Sequence, residues 1–223
     1  MSSTTVTVDT VVLDIDGTLI DSVYAHVWSW HEAFRVHGVV VPAWKLHRAI
    51  GMGGDRLVGA VSNEGVEAAI GDEVRSRQAD FYRDLSAQLA PTPGATGLLE
   101  ALTTRGLLVV LASSGSGADT ERAMELLEAR SYVDATISGD DTAATKPDTE
   151  SLRRAVDSVH GRRALVIGDA VWDMESARNA GYPAIGLLTG GISRSELVEA
   201  GAAAAYDDPA ALTSALDEAL DLP

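Results

Sequence analysis

Apolar and polar positions divide the chain into a first strand, a helical stretch and a long alternation of strands and helices. From Val6 to Leu13 β-branched and aliphatic residues cluster and lead straight into Asp14-Ile15-Asp16-Gly17-Thr18, the pattern of a buried strand ending in a turn. No strand pattern follows between about Asp21 and Leu89. Ser22 is a helix-capping residue type, and Val23, Val27, Trp30 and Phe34 recur on one helical face. A second helix is expected after Asp72, with Val74, Phe81, Leu85 and Leu89 on its apolar stripe. Pro91-Thr92-Pro93-Gly94 then breaks the chain. Beyond it the expected strands are Leu107 to Ala112, Ala135 to Ile137, Ala164 to Ile167, Pro183 to Leu188 and Ala203 to Tyr206. Helices are expected through Leu98 and Leu102, around Ala123 to Leu127, from about Thr149, from Met174 to Ala180 and after Pro209. Strands separated by helices require right-handed crossovers, hence an α/β fold with a parallel sheet covered on both faces and a small helical insertion.

Composition narrows the class of protein further. With 46% hydrophobic and 22% charged residues in 223, the chain has enough apolar content to bury a core. Its formal net charge of −16 opposes nucleic acid and anionic lipid, so neither is expected as a partner. The absence of cysteine excludes disulfides, thiolate metal sites and cysteine nucleophiles. Residues Met1 to Thr10 lack the basic start and apolar middle of a signal peptide, and no apolar run is long enough to span a bilayer; a cytoplasmic location is expected. Lys45 and Lys146 are the only lysines, which draws attention to Lys146-Pro147 in a polar loop.

Open parallel sheets bind ligands beyond the carboxyl ends of their strands. Four polar clusters fall at such ends: Asp14 with Asp16, Ser113 with Ser114, Lys146, and Asp169 with Asp173. Residues two apart on extended chain point the same way, so Asp14 and Asp16 present their carboxylates to one small volume. Acids so close divide their roles, one ionised as nucleophile and the other holding a proton for a leaving group. Ser113, directly after an apolar strand, is placed to donate to a phosphoryl oxygen, with the backbone N–H groups of Ser114 and Gly115 assisting. An ammonium at Lys146 would neutralise both the nucleophile and a transferred phosphoryl group. Asp169 at a strand end is placed to ligate a metal, and Asp173, one turn into the next helix, to orient a ligand. Oxygen donors select a hard ion, and Mg2+ suits a phosphate site.

The ordered set Asp14-Ile15-Asp16-Gly17-Thr18-Leu19, Ser113, Lys146-Pro147 and Gly168-Asp169 with Asp173 resembles the four motifs of haloacid dehalogenase superfamily hydrolases. The resemblance spans nearly the whole chain, including Ala180-Gly181 and the Gly190-Gly191, Glu196-Leu197 and Ala200-Gly201-Ala202 tail common among phosphoglycolate-phosphatase-like members. It implies a Rossmann-like core of residues 1–20 and 90–223 with a helical cap inserted at 21–89. It also implies a magnesium-dependent phosphatase, monomeric or homodimeric, that hydrolyses a small phosphorylated metabolite. In that scheme Asp14 attacks phosphorus, Asp16 serves as acid and then base, and Ser113 and Lys146 hold the phosphoryl group. The metal would be held by Asp14, the backbone carbonyl of Asp16 and Asp169, with Asp173 in support, while Thr18, Ser114 and Gly115 would contribute to substrate binding. Dehalogenase members lack an acid equivalent to Asp16, because halide leaves without a proton.

Substrate choice is expected in the cap, where His26 corresponds to a cap histidine of β-phosphoglucomutase-like relatives. The loop Gly51-Met52-Gly53-Gly54-Asp55 resembles one that descends on the substrate, with Gly53 and Gly54 at its contact point. The alternative reading is a sugar phosphate mutase. Related mutases carry an arginine where this chain has Gly54, and Arg48 or Arg56 are the candidates to replace it. A phosphoacceptor signalling module would be shorter, would put an acidic pair at the first strand and the phosphorylated aspartate at the third, and has no counterpart to the cap.

Overall fold

The structure is a computed structural model that describes residues 8–141 and 146–221. Six strands, β1 (Thr10–Leu13), β2 (Leu108–Ala112), β3 (Ala135–Ile137), β4 (Ala164–Gly168), β5 (Ala184–Leu187) and β6 (Ala204–Tyr206), form one sheet in the order β3-β2-β1-β4-β5-β6. Every neighbouring pair is parallel. Of the expected first strand, Val6 and Thr7 lie outside the described residues, and the strand itself is its last four positions.

Strict alternation along the strands builds two cores, one on each face. Val11, Leu13, Val109, Leu111, Leu165 and Ile167 belong to one. Helices α5 (Ala95–Thr104), α6 (Gly117–Leu126), α10 (Pro209–Ser214) and α11 (Leu216–Leu220) cover it with Leu98, Met124, Leu212 and Leu216. Val12, Val110, Val166 and Ala184 belong to the other. It is closed by α7 (Glu150–Ser158), α8 (Val171–Ala180) and α9 (Arg194–Ala200) through Leu152, Met174 and Leu197.

A third core lies in the stretch between β1 and α5, where α1 (Val23–Val36), α2 (Ala43–Ala49), α3 (Gly54–Val61) and α4 (Glu64–Leu85) pack around Trp30, Phe34, Leu46, Leu57 and Val74. The expected stripe of α1 is buried as the spacing predicts. Two local expectations fail. Ser22 occupies the residue before α1 without capping it, because its hydroxyl is drawn instead to Asp16. The second helix starts at Glu64, not after Asp72, and ends before Leu89. Its cap is Asn63, whose Oδ1 accepts the Val66 N–H at 3.1 Å. Gly65 and Gly71 lower helix propensity in its first half, and the packing of Val66, Ile70 and Val74 in the helical core supplies what propensity lacks.

Register fixes the site. Leu13 stands level with both Leu111 and Ile167, so Asp14 leaves the sheet beside the ends of β2 and β4, where the strand order reverses. The chain direction from β1 into the helical stretch then carries α1 and α4 over that same edge. Among the described residues no helix is long and apolar enough to cross a membrane.

Candidate active site

The centre of the site is a buried charge cluster. Asp14, Asp169 and Asp173 bring carboxylate oxygens within 4.8 Å of one another. Lys146, itself buried, forms an ion pair with Asp14 and another with Asp173 at 2.8 Å. Thr18 Oγ1 donates to Asp169 Oδ1 at 2.7 Å, and the Ala170 N–H donates to Asp173 Oδ2 at 3.1 Å. Three glycines make the room: a Cβ at Gly17, whose φ is +84°, or at Gly190 would strike the Asp169 carboxylate, and one at Gly168 would strike Asp173.

Three carboxylates against one ammonium leave the cluster over-supplied with negative charge. The Asp14 carboxyl is pushed up to about 8 on balance: burial raises it, Lys146 pulls it down, and Asp173 and Asp16 push it up. Asp169 is raised by burial and by Asp14 and Asp173. Lys146 rises despite burial, because Asp14 and Asp173 hold its proton in place. Such a cluster stays ionised only if a cation joins it, and its hard oxygen donors fit Mg2+. The donor set and the glycine-lined cradle therefore agree with a divalent ion.

Asp16 stands apart from this trio. Its Oδ1 accepts from Ser22 Oγ at 2.6 Å, from His26 Nε2 at 3.0 Å and from Tyr82 Oη at 3.3 Å, and its Oδ2 from Ser113 Oγ at 3.4 Å. A carboxylate can only accept, so His26 carries its proton on Nε2. Its ring lies stacked on Tyr82, with centroids 3.9 Å apart, and Gln78 Nε2 lies 3.4 Å from Nδ1. Burial works against ionisation, yet His26 and the Ser22 hydroxyl hold the Asp16 carboxyl well below the usual carboxylate range.

Asp14 and Asp16 open into a cavity of about 470 Å3 between the sheet edge and the helices α1, α3 and α4. Ser114, Gly115 and His26 line it, as does Gly54. Gly53 does not face it; its carbonyl accepts the N–H groups of Arg56 and Leu57 in the first turn of α3. Thr18, expected at the substrate, is fully buried and serves Asp169 instead. Ser113 lies just behind the wall, where its Oγ also accepts the Gly115 N–H at 2.9 Å. Arg48 turns away from the cavity to Glu196 at 2.5 Å, and Arg56 is not on the wall, so neither candidate replaces an arginine at position 54.

Sequence reading missed Arg75, Gln78 and Tyr82. They recur at three- and four-residue spacing on α4 and so share the face turned to the cavity, while Val74 is buried in the helical core and Phe81 packs against it. That polar stripe was the available signal, and it only becomes legible once α4 is known to be one helix.

The sheet is parallel, with two acids after its first strand and two more after its fourth, three of which could hold one metal ion. The sequence model described as haloacid dehalogenase-like hydrolase matches residues 8–181, and the chain belongs to that family. It is 30% identical over 217 residues to a phosphoglycolate phosphatase of Agrobacterium fabrum, covering 94% of this chain and 92% of the relative. It is 27% identical to the validoxylamine A 7'-phosphate phosphatase of Streptomyces hygroscopicus subsp. limoneus, over 80% of this chain and 84% of that one. The crystal structure of a hydrolase from Pseudomonas syringae superposes with a TM-score of 0.89 at 34% identity, covering 94% and 98% of the two chains.

Proposed function

We propose that this hydrolase is a magnesium-dependent phosphatase that cleaves a small phosphomonoester through a phosphorylated Asp14. The observation that carries the reading is the convergence of Asp14, Asp169, Asp173 and Lys146 at one sheet edge, with Asp16 beside them on the same cavity. Asp14 is bound to a buried ammonium at the end of the central strand, and Asp16 two residues on is held by hydroxyls and an imidazole, both opening on the same cavity. Phosphatase relatives acting on small esters support the same class.

In this mechanism the Asp14 carboxylate attacks phosphorus in line with the ester oxygen, forming the aspartyl O–P bond as the P–O ester bond breaks. Asp16 gives its proton to the departing alkoxide. The dianionic phosphoryl group beside Asp16 disfavours its ionised form, which supplies the protonated acid this step needs. Water then attacks the aspartyl phosphate while Asp16 takes back a proton, releasing phosphate and restoring both acids. Lys146 and Ser113, with the N–H groups of Ser114 and Gly115, hold the phosphoryl oxygens. Asp14, the Asp16 carbonyl and Asp169 would hold Mg2+, with Asp173 in support, and the ion would stabilise charge on the transferred group.

The helices α1 to α4, roughly residues 21–89, act as a cap that excludes water from this chemistry. Trp172 Nε1–H donates to Arg48 O at 3.2 Å, Ser114 Oγ donates to Gly51 O at 3.3 Å, and His47 Nε2–H donates to Gly190 O at 2.8 Å. These contacts and the Arg48–Glu196 pair tie the cap to the sheet edge on one side. Hydrolysis is favoured over the mutase because neither Arg48 nor Arg56 reaches the cavity, and Arg75, which does line it, is held by Glu67, Asp72 and the Gly54 carbonyl. The test is a panel of phosphomonoesters assayed with Mg2+ and with chelator. Metal-dependent phosphate release that Asp14→Asn abolishes supports the reading; full turnover by Asp14→Asn overturns it.

A further inference from the structure

The cavity beyond Asp14 and Asp16 has an apolar floor of Trp30, Ile50, Met52 and Leu57 and a polar wall of Gln78 and Tyr82. Its rim carries the acids Asp55, Asp119 and Asp140. Asp119 is bound to Arg122 at 2.7 Å, and Asp140 accepts the Gly117 N–H at 2.7 Å. Among the described residues, Arg75 is the one guanidinium or ammonium group on the wall. An anion on the leaving alcohol would have to find its partner there.

Arg75 is already engaged. Its Nη1 donates to Glu67 Oε2 at 3.0 Å and to Gly54 O at 3.1 Å; its Nη2 donates to Glu67 Oε1 at 2.9 Å and to Asp72 Oδ1 at 2.8 Å. Both terminal nitrogens are thus spent, on a two-pronged carboxylate pair that ranks among the stronger polar contacts. Glu67 and Arg75 are eight residues apart on α4 and can meet only by passing over the residue midway between them. That residue is Gly71, where a Cβ would lie 2.7 Å from Glu67 Oε1 and 2.9 Å from Arg75 Nη2. A glycine inside a helix is unfavourable, and here it leaves room for the ends of the two side chains to meet, which a methyl group would push aside.

Resting on the phosphatase reading, we infer that the Glu67–Gly71–Arg75 clamp is a specificity device: it withdraws the one guanidinium on the cavity wall among the described residues, so the enzyme takes phosphomonoesters whose alcohol part is hydroxylated and uncharged and rejects those bearing a second anion. The apolar floor suits the carbon face of a sugar-like ring, and Gln78 and Tyr82 suit its hydroxyls. A carboxylate or second phosphate would meet acids and an occupied guanidinium, a like-charge arrangement that discriminates strongly.

The experiment compares kcat/KM for glucose 6-phosphate, 2-phosphoglycolate and fructose 1,6-bisphosphate, each normalised to p-nitrophenyl phosphate, in the wild type, Glu67→Gln and Gly71→Ala. In the wild type the ester of the uncharged sugar should exceed each competitor bearing a second anionic group by at least about 10-fold. Both substitutions release Arg75 into the cavity and should shift that ratio toward the anionic substrates by about 10-fold. A helix-stability effect alone would leave the ratio in place, since it acts on all substrates alike. The inference is overturned if 2-phosphoglycolate or the bisphosphate is the better wild-type substrate, or if neither variant moves the ratio. Failure of every ester, p-nitrophenyl phosphate included, would instead sink the phosphatase reading, and the inference with it.

Discussion

Replacing Lys146 by methionine removes the one positive charge from a cluster of three buried carboxylates while keeping a side chain of similar length in its slot. At an effective dielectric constant of about 20, each ammonium–carboxylate contact near 3 Å is worth roughly 5 kcal/mol of attraction before desolvation. Losing both contacts leaves the acids facing one another, and they respond by taking up protons, which caps the cost. The net loss is expected at about 3–5 kcal/mol, the range found when one partner of a buried pair is deleted. For a chain of this size each kcal/mol moves the melting temperature by roughly 2–4 °C, so Lys146→Met should melt about 6–20 °C below the wild type. The assay is thermal unfolding by circular dichroism at pH 7.5 in chelator, repeated with excess Mg2+. Added metal should raise the variant more than the wild type, because a divalent ion in the acid cluster replaces the missing charge. A variant that melts within about 2 °C of the wild type in chelator would refute the reasoning, since the acids would then not depend on the ammonium.

Gly17→Ala should cost about 2–4 kcal/mol, from a left-handed backbone without glycine and a Cβ against Asp169 and Val23; urea unfolding midpoints measure it. Ser22→Ala removes the 2.6 Å hydrogen bond to Asp16 and should lower kcat by about 3- to 10-fold with KM little changed, read in steady-state assays. Asp9 accepts the backbone N–H groups of Arg162 and Arg163; burial opposes its ionisation, but the Arg163 and Arg162 N–H groups hold its carboxyl below the usual range. A folded-state value below the unfolded one stabilises above about pH 4 and is lost as pH falls through the folded value. Asp9→Asn should therefore be about 1 kcal/mol less stable at pH 7, discounted for partial exposure, with the difference closing below about pH 4.

The sheet was legible because strands buried on both faces are continuous apolar runs, and β4 falls where its run predicts, apart from Gly168 extending it, while the edge strand β3, with Thr136 exposed, falls on the three residues expected of it. The core acids were legible for a related reason: a charged residue at the end of such a run has nowhere to go but the sheet edge. Asp14 and Asp169 follow β1 and β4 directly, while Asp173 joins them from the first turn of α8 and Lys146 from the loop before α7. The helical stretch was harder to read. In the first half of α4, Val66, Ile70 and Val74 do recur every four residues on the core face, but Gly65 and Gly71 lower helix propensity there and masked the start of the helix, although Gly71 makes sense once Glu67 and Arg75 are seen to pass over it. Ser22 and Thr18 show the same limit at single residues. A hydroxyl before a helix or beside a motif has several possible partners, and only the tertiary structure reveals that both serve carboxylates.

The most direct test of the central claim is chemical trapping of the phosphorylated residue. The enzyme, mixed with Mg2+ and p-nitrophenyl phosphate, is quenched in acid, treated with borohydride to reduce any acyl phosphate, and mapped by peptide mass spectrometry. Reduction confined to Asp14, and lost when substrate is omitted, is the expected result. Rapid turnover with Asp14 unmodified, or with the label on another residue, would contradict the account.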